Sequence, residues 1–311
     1  MQISAKLPVL LIGYNRSDLF ARRLSELRDS GVEDLFISID GPKNEFDIKA
    51  QNRILELINE ERKFIENLNI SYQERNLGLA RHITKAINNC FKSVKHLLII
   101  EDDISIDRNG FNSYKEATPL LLGRKAAFIC GFSSLSSNTF PKLTRRRNEW
   151  RESSYFNPWG WATTSEVWGH YQQEIDLNSF RSLLEKSKSW RVKGDQEKEI
   201  WLRRFQRVAE NPNFTWDFQV QYMIFVNELT TLLPKYSIHR NQGFGDARAS
   251  NTKSSRPWWM KSDSTFSEPV HTANRKNSLE NWLLNLLDRL TWLGVIKLEM
   301  SKFKKIYNNK S

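Results

Sequence analysis

Three consecutive carboxylates, Glu101-Asp102-Asp103, end the apolar run His96-Leu97-Leu98-Ile99-Ile100. Set side by side, such groups repel one another unless a cation neutralises them. Oxygen ligands suit a hard divalent ion, magnesium or manganese rather than zinc, and such ions commonly bind through one or two carboxylates plus a substrate's phosphates. The triplet is therefore a candidate metal and nucleotide site, although taken alone it reads equally well as a solvated acidic turn. An apolar run without polar alternation predicts a strand buried on both faces, as in a parallel sheet covered by helices. The acids then fall at its carboxyl end, the edge where open α/β sheets bind ligands.

The elements that must position these acids follow from periodicity. Leu7 to Tyr14 reads as a first buried strand, broken by Asn15-Arg16-Ser17-Asp18, where Asn15 or Ser17 could cap the next helix. That helix carries Leu19, Phe20, Arg23, Leu24 and Leu27 at helical spacing, and a second strand, Asp34 to Ile39, again stops at an acid, Asp40-Gly41-Pro42. A surface helix over 47–67, a short alternating strand over 68–73 and a helix through Ile83, Ile87 and Phe91 complete a β-α-β-α-β-α-β order. The order predicts a doubly wound sheet with right-handed crossovers.

Beyond the acids the spacing predicts a helix over 111–122 and a strand over 126–132, then a polar loop over 133–139 and a densely basic stretch over 142–151. Tyr155 to Thr164 is aromatic and poor in charge, which suits either a ligand-pocket wall or simply core. Helices are expected over 166–189, 197–208 and 218–229, the last preceded by Asn213-Phe214-Thr215-Trp216-Asp217, and a final strand over 232–239. Gly243-Phe244-Gly245-Asp246 follows in a polar stretch. Residues 278–296 form an apolar face with two tryptophans and lysines beyond it, a pattern that suits an anionic membrane surface or packing on a protein. The expected organisation is a domain over 1–252 and a basic amphipathic tail over 253–311.

Composition narrows the partners. Of 311 residues, 47 are basic and 36 acidic, a net charge of +11 that favours an anionic partner: nucleic acid, a membrane face or a phosphorylated substrate. The only two cysteines, Cys90 and Cys130, lie in apolar settings, against both a disulfide framework and a cysteine metal site. The N-terminal apolar run is too short to span a bilayer and lacks a cleavage site. A cytoplasmic protein is expected, peripheral at the inner face of the membrane if the tail binds there.

Read in order, Pro8-Val9-Leu10-Leu11-Ile12-Gly13-Tyr14-Asn15-Arg16, Ser38-Ile39-Asp40-Gly41, Gly78-Leu79-Ala80-Arg81-His82 and Ile99-Ile100-Glu101-Asp102-Asp103 form a pattern. It continues through Pro158-Trp159-Gly160-Trp161-Ala162, Trp168 and Trp216-Asp217. Over roughly residues 7–250 it resembles the N-acetylglucosaminyltransferase I group of GT-A glycosyltransferases, whose bacterial relatives look like sugar transferases for surface polysaccharides. The resemblance implies a Rossmann-like, mostly parallel α/β sheet flanked by helices, with a C-terminal helical extension. It implies that Asn15, Arg16 and Asp40 serve the uracil and diphosphate of a UDP-sugar, and that Arg81 and His82 lie at the nucleotide. Glu101 and Asp102 would serve ribose and sugar, with Asp103 on manganese or magnesium. Asp217 would be the base of an inverting transfer, and the loop holding Gly243 and Phe244 would close over the donor. The chain departs from the pattern in two places. Phe218 stands where a second acid often follows, and the span from Trp161 to Asp217 is longer, with an extra charged helical segment on the acceptor side.

Elementary chemistry points the same way. Departure of a nucleoside diphosphate needs positive charge, which a cation at Asp103 and Arg16 could supply, and attack by a hydroxyl needs a base such as Asp217. Bland roles remain open for each: Asp217 as a helix N-cap, His82 as a structural histidine on a helix face, Arg16 paired with Asp18 or Asp40. The expected partners are a nucleotide-sugar donor, a glycan or lipid-linked acceptor, and an anionic membrane surface through 278–311. A sugar-phosphate nucleotidyltransferase is the competing enzyme, but it would want a glycine-rich, lysine-bearing loop that Gly13-Tyr14-Asn15-Arg16-Ser17 does not resemble. A nucleic-acid or membrane-surface binder without catalysis is the competing non-enzyme. Nucleic acid is disfavoured, because acids at several strand ends would oppose a polyanion.

Overall fold

The computed structural model describes residues 6–133, 149–248 and 270. In chain order the elements are β1 (Val9–Gly13), α1 (Ser17–Asp29), β2 (Asp34–Ile39), α2 (Glu45–Glu61) with a 3-10 turn at Arg62–Phe64, β3 (Asn67–Tyr72) and α3 (Leu79–Cys90). There follow β4 (His96–Glu101), β5 (Ile104–Ile106), α4 (Arg108–Leu122), β6 (Phe128–Cys130), β7 (Trp150–Ser153) and β8 (Trp161–Thr164). The rest is α5 (Ser165–Trp168), α6 (Phe180–Lys186), α7 (Lys188–Arg191), α8 (Asp195–Glu210), α9 (Asp217–Val226), β9 (Thr231–Pro234) and β10 (His239–Asn241).

An eight-stranded sheet runs in the order β3-β2-β1-β4-β8-β6-β9-β7. Its first four strands are parallel, so Tyr72, Ile39, Gly13 and Glu101 all finish at one edge. Strand β8 then runs antiparallel between β4 and β6, β9 is parallel to β6, and β7 closes the far side antiparallel to β9. The architecture is the expected α/β sheet flanked by helices. Its two faces are read from alternate residues of one strand. Val9 and Leu11 of β1 pack with Phe20, Leu24 and Leu27 of α1 and Phe111 and Tyr114 of α4. Leu10 and Ile12 pack on the other face with Ile83 and Ile87 of α3 and an aromatic group that includes Trp161, Trp201, Phe205 and Phe225.

Three local expectations needed correction. The helix expected over 166–189 is broken into α5, α6 and α7. Thr164 accepts from the Val167 amide at 3.3 Å, Ser187 accepts from the Trp190 amide at 3.4 Å, and Asp176 accepts from the Asn178 amide at 3.1 Å. Short polar side chains that bond their own backbone compete with a continuous helix. The strand expected over 232–239 splits into β9, which ends at Pro234, and β10, which leaves the main sheet to pair antiparallel with β5. Strands β5, β7 and β8 were not expected, the last within the aromatic stretch 155–164. Residues 134–148, most of the expected basic loop, and the tail beyond 252 apart from Val270 lie outside the described residues, as does the 252/253 boundary. Among the described residues no helix is long and apolar enough to cross a membrane.

Candidate active site

Parallel register brings the polar strand ends together. Ile12 stands opposite Glu101, and the Asp102 amide donates to the Ile12 carbonyl at 3.0 Å, so the chain leaving β1 runs beside the chain leaving β4. Arg16, at the turn into α1, therefore reaches both aspartates. Its guanidinium pairs in bidentate fashion with Asp102, the Nε contact being 3.2 Å, and NH1 meets Asp103 Oδ2 at 3.1 Å. Asp102 is 2% exposed and Asp103 8%. Burial works against the charge on Arg16, but Asp102 and Asp103 more than offset it and hold the guanidinium firmly protonated.

Glu101 has no such partner. Its carboxyl is pushed up to about 8, first by burial and then by the charge of Asp103, with further contributions from Asp102 and Asp217. Asp217 comes from the first turn of α9, and its charge is felt at Glu101 only as the weakest of these contributions. Asp217 Oδ1 accepts from the Thr215 hydroxyl and from the Phe218 amide, the latter at 3.0 Å. Oδ2 has no hydrogen-bond partner among the described residues. Burial raises the Asp217 carboxyl, which the Thr215 hydroxyl offsets only in part.

Asp40 and His82 lie behind the same edge with their polar atoms engaged. Asp40 is 5% exposed and accepts from the amides of Gly41, Leu77 and Gly78 at 2.9, 2.9 and 3.1 Å and from Asn76 Nδ2 at 3.0 Å. Four donors fill its acceptor sites, and the carboxylate thereby fixes the loop that leads into α3. A side chain at Gly41 would meet the Arg75 backbone at 2.1 Å, so glycine is required for the two loops to approach. His82 Nε2 lies 2.9 Å from Ser38 Oγ, and burial pushes the imidazole down to about 4, leaving it neutral at pH 7. Asn15 donates to Asp47 Oδ1 at 2.7 Å, and Tyr14 donates to Oδ2 of the same residue. Arg81 is exposed and turns toward the α9 side, donating to Asn213 Oδ1 at 2.8 Å.

The segment after β10 is anchored to the acids from the other side. The Gln242 amide donates to the Asp103 carbonyl at 2.7 Å, and the Gly243 amide donates to Asn241 Oδ1 at 2.8 Å. Phe244 meets Trp159 edge-on with centroids 5.6 Å apart, and Trp159 meets Phe132 at 4.5 Å. Beneath this layer His239 binds the Tyr114 hydroxyl through Nε2 at 2.7 Å and the Ser105 carbonyl through Nδ1 at 3.0 Å. A Cβ on Gly160, whose φ is +70°, would lie 2.3 Å from that ring. The glycine of the Pro158-Trp159-Gly160-Trp161 motif thus makes room for the histidine that docks β10.

Sequence reasoning missed several participants. Asp47, the anchor of Tyr14 and Asn15, was read only as the start of a helix. Arg23 is completely buried near Asp102 and Asp103, donating to Glu26 at 2.8 Å and to Gln242 at 3.1 Å. Its signal was visible, a cation on the apolar stripe of α1. Arg204 and Tyr171 stand near Asp217 and gave no signal beyond helical and aromatic spacing.

A divalent ion can be tested against this donor set. Among the described residues no group of three or more His, Cys, Asp or Glu side chains is arranged to hold a metal. Asp103 Oδ1 and the Glu101 carboxylate nevertheless have no hydrogen-bond partner among the described residues, which leaves oxygens of two neighbouring acids open. Oxygen donors of that number fit a magnesium or manganese site that substrate phosphates complete.

No protein-family model matches this sequence, and no curated protein matches it. Among solved structures the chain is similar to mannosyltransferase PcManGT from Pyrobaculum calidifontis in complex with GDP-Man and Mn2+. The TM-score is 0.41 and the identity 10%, over 72% of this chain and 70% of that one. It is also similar to S. aureus TarS 1–349, with TM-score 0.39 and 13% identity over 74% of this chain and 58% of that one. A UDP-glucose pyrophosphorylase complexed with UDP-glucose gives TM-score 0.38 and 12% identity over 76% and 94% of the two chains. Likenesses this distant identify neither substrate nor reaction for this chain, which must be argued from its own residues.

Proposed function

We propose that this chain is an inverting, metal-dependent glycosyltransferase that moves a sugar from a UDP-sugar to a hydroxyl of a glycan or lipid-linked acceptor in surface polysaccharide synthesis. The observation that carries the reading is the meeting of Arg16 with Asp102 and Asp103, beside Glu101, where two parallel strands end; Asp217, from a separate helix, is read as the base opposite them. A divalent ion held by Asp103 would supply positive charge to the diphosphate. Arg16, held in place by Asp102, adds a fixed cation on the same side, where it stabilises the leaving group without reorganising. Asn15 and the Gly243-Phe244 segment border the donor, while Asp40 and His82 act by shaping the loop before α3. Arg81 faces the α9 side of the nucleotide.

In the transfer, the acceptor oxygen attacks the anomeric carbon as the bond to the β-phosphate oxygen breaks. UDP leaves with that electron pair, and the acceptor proton passes to Asp217 Oδ2. Anchoring of Oδ1 by Thr215 and Phe218 aims the other oxygen, and the raised proton affinity of the buried carboxyl makes it a better base than an exposed aspartate. One displacement with no enzyme-bound sugar gives inversion.

Isothermal titration of UDP with manganese and with chelator, on the natural chain and on Asp103→Ala, tests the donor site. Manganese-dependent binding that the variant loses is the expected result, and a folded protein that binds UDP in neither condition overturns the reading. Product analysis with the donors that bind then separates the enzyme classes, since a transferase releases UDP and a nucleotidyltransferase works through pyrophosphate and a sugar phosphate. The tail over 253–311 is proposed to hold the enzyme at an anionic membrane surface. Unchanged partition to anionic vesicles after deletion of 278–311 would remove that part alone.

A further inference from the structure

Arg204 lies on α8, in the segment inserted ahead of Asp217. Its guanidinium sits 4.7 Å above the Trp201 ring and 5.4 Å from the Phe218 ring, held between side chains of the packed helices α8 and α9. Its NH1 is buried with no hydrogen-bond partner among the described residues. No described carboxylate forms an ion pair with it. Asp217 is close enough to act on its charge, but Asp217 turns Oδ1 to Thr215 and Phe218 instead. A cation set into a protein without a counter-ion is costly, and ring stacking offsets only part of that cost.

The surroundings extend the pattern. The Tyr171 hydroxyl, near Asp217, is also buried without a hydrogen-bond partner among the described residues, while its ring stacks on Trp168 at 4.4 Å. One turn along α8, Arg207 covers the exposed Phe214 ring at 3.6 Å, and Arg81 meets Asn213 just beyond. Neither arginine has an ion-pair partner among the described residues. Arg204 and Arg207 thus pack from α8 against Phe218 and Phe214, on either side of Asp217 in sequence, and the Arg204 NH1 and Tyr171 hydroxyl are buried donors without a partner among the described residues. Arg16 is committed to Asp102 and Asp103 at the strand ends, whereas Arg204 packs on Trp201 and Phe218 between α8 and α9.

We propose that Arg204 is the anion-binding residue of the acceptor subsite, receiving a phosphate or carboxylate that the acceptor carries near the hydroxyl presented to Asp217. The planar guanidinium fork matches either anion through paired hydrogen bonds, and the Tyr171 hydroxyl is placed to add a further donor. An acceptor bearing a fixed negative charge is thereby selected over a neutral sugar. The assignment rests on the glycosyltransferase reading above.

The test uses the full chain with saturating UDP and manganese, so that the donor site is filled. Inorganic phosphate and methyl glucuronide are titrated separately, with sodium chloride at matched ionic strength as control, and intrinsic tryptophan fluorescence is followed. A saturable change is expected for at least one anion and not for chloride. Arg204→Gln should weaken it about tenfold or more, and Arg204→Lys, which keeps charge without the fork, by less. A response to phosphate alone assigns a phosphorylated acceptor, and a response to glucuronide alone assigns an acidic sugar. No saturable response in the natural chain, or an equal response in Arg204→Gln, overturns the proposal. UDP binding in the same samples would then leave the transferase reading standing. Absence of UDP binding from the natural chain overturns both.

Discussion

The two sides of the site meet their charges differently. On the strand side, Arg16 already spans Asp102 and Asp103, Asp40 holds four donors, and the Gln242 amide ties the following loop to Asp103, so that most of the charge is paired, the exceptions being Glu101, Asp103 Oδ1 and two nitrogens of the buried Arg23. On the helix side, Arg204 NH1 and the Tyr171 hydroxyl are buried without a hydrogen-bond partner among the described residues, and the bonds of Asp217 fall on Oδ1 alone. Preformed pairing costs nothing when a ligand arrives, whereas open donors and acceptors are met only when one does. The contrast suits an enzyme that binds a constant nucleotide on one side and selects its acceptor on the other.

The comparison is broken most severely at Arg16. Removing its side chain in Arg16→Ala leaves Asp102 buried and unpaired, and a loss of about 3–5 kcal/mol in unfolding free energy is expected by denaturant titration. A loss below about 1 kcal/mol would mean that the pairing contributes little and that the strand side is not preorganised in the sense argued. Asp217→Asn should have the opposite character. It should lower transfer about a hundredfold or more, equivalent to about 3 kcal/mol in the barrier, while unfolding free energy and UDP affinity hold steady. Equal losses of stability and activity would mark Asp217 as a framework residue.

One acid-sensitive contribution comes from the scaffold under the strand side, and it opposes that of Glu101, whose raised carboxyl favours the folded chain as pH falls toward 4.5. Burial pushes His239 down to about 4 from an ordinary 6.5, so between those values the unfolded chain holds a proton that the folded chain does not. Stability therefore rises with pH across that window and falls on acidification, by about 2 kcal/mol at pH 5 for this group. In a denaturation series from pH 7.5 to 5, His239→Asn should lose about 2 kcal/mol less than the natural chain on acidification, and an equal change in both would assign the acid sensitivity to other groups. The smallest effect is expected from Phe244→Ala. Loss of one edge-on aromatic contact is worth about 0.5–1.5 kcal/mol, a few-fold in UDP affinity, and no change in titration would separate that ring from the donor.

Much of the strand side was legible because it is local. Each acid or arginine there follows its own strand within a few residues, and the apolar runs of β1, β2 and β4 leave few alternatives to a parallel sheet. Arg23 could have been found too, since a charge on the buried stripe of α1 needs a partner. The break of 166–189 was harder, because Thr164, Asp176 and Ser187 cap or interrupt helices only where packing allows them. The pairing of β5 with β10 joins residues more than a hundred positions apart, and nothing in either triplet specifies the other.

Apolar periodicity and the acids that follow β2 and β4 determined by themselves that this chain builds a parallel α/β edge bearing carboxylates. Both are local properties, fixed by alternation, helical spacing and charge. That Arg16 neutralises two of those acids, that Glu101 is left unmatched, and that Arg204 is held between Trp201 and Phe218 were decided only by tertiary structure. Strand order sets which loop ends become neighbours, and the packing of α8 on α9 sets which side chains are buried without partners; both depend on contacts between residues far apart in sequence.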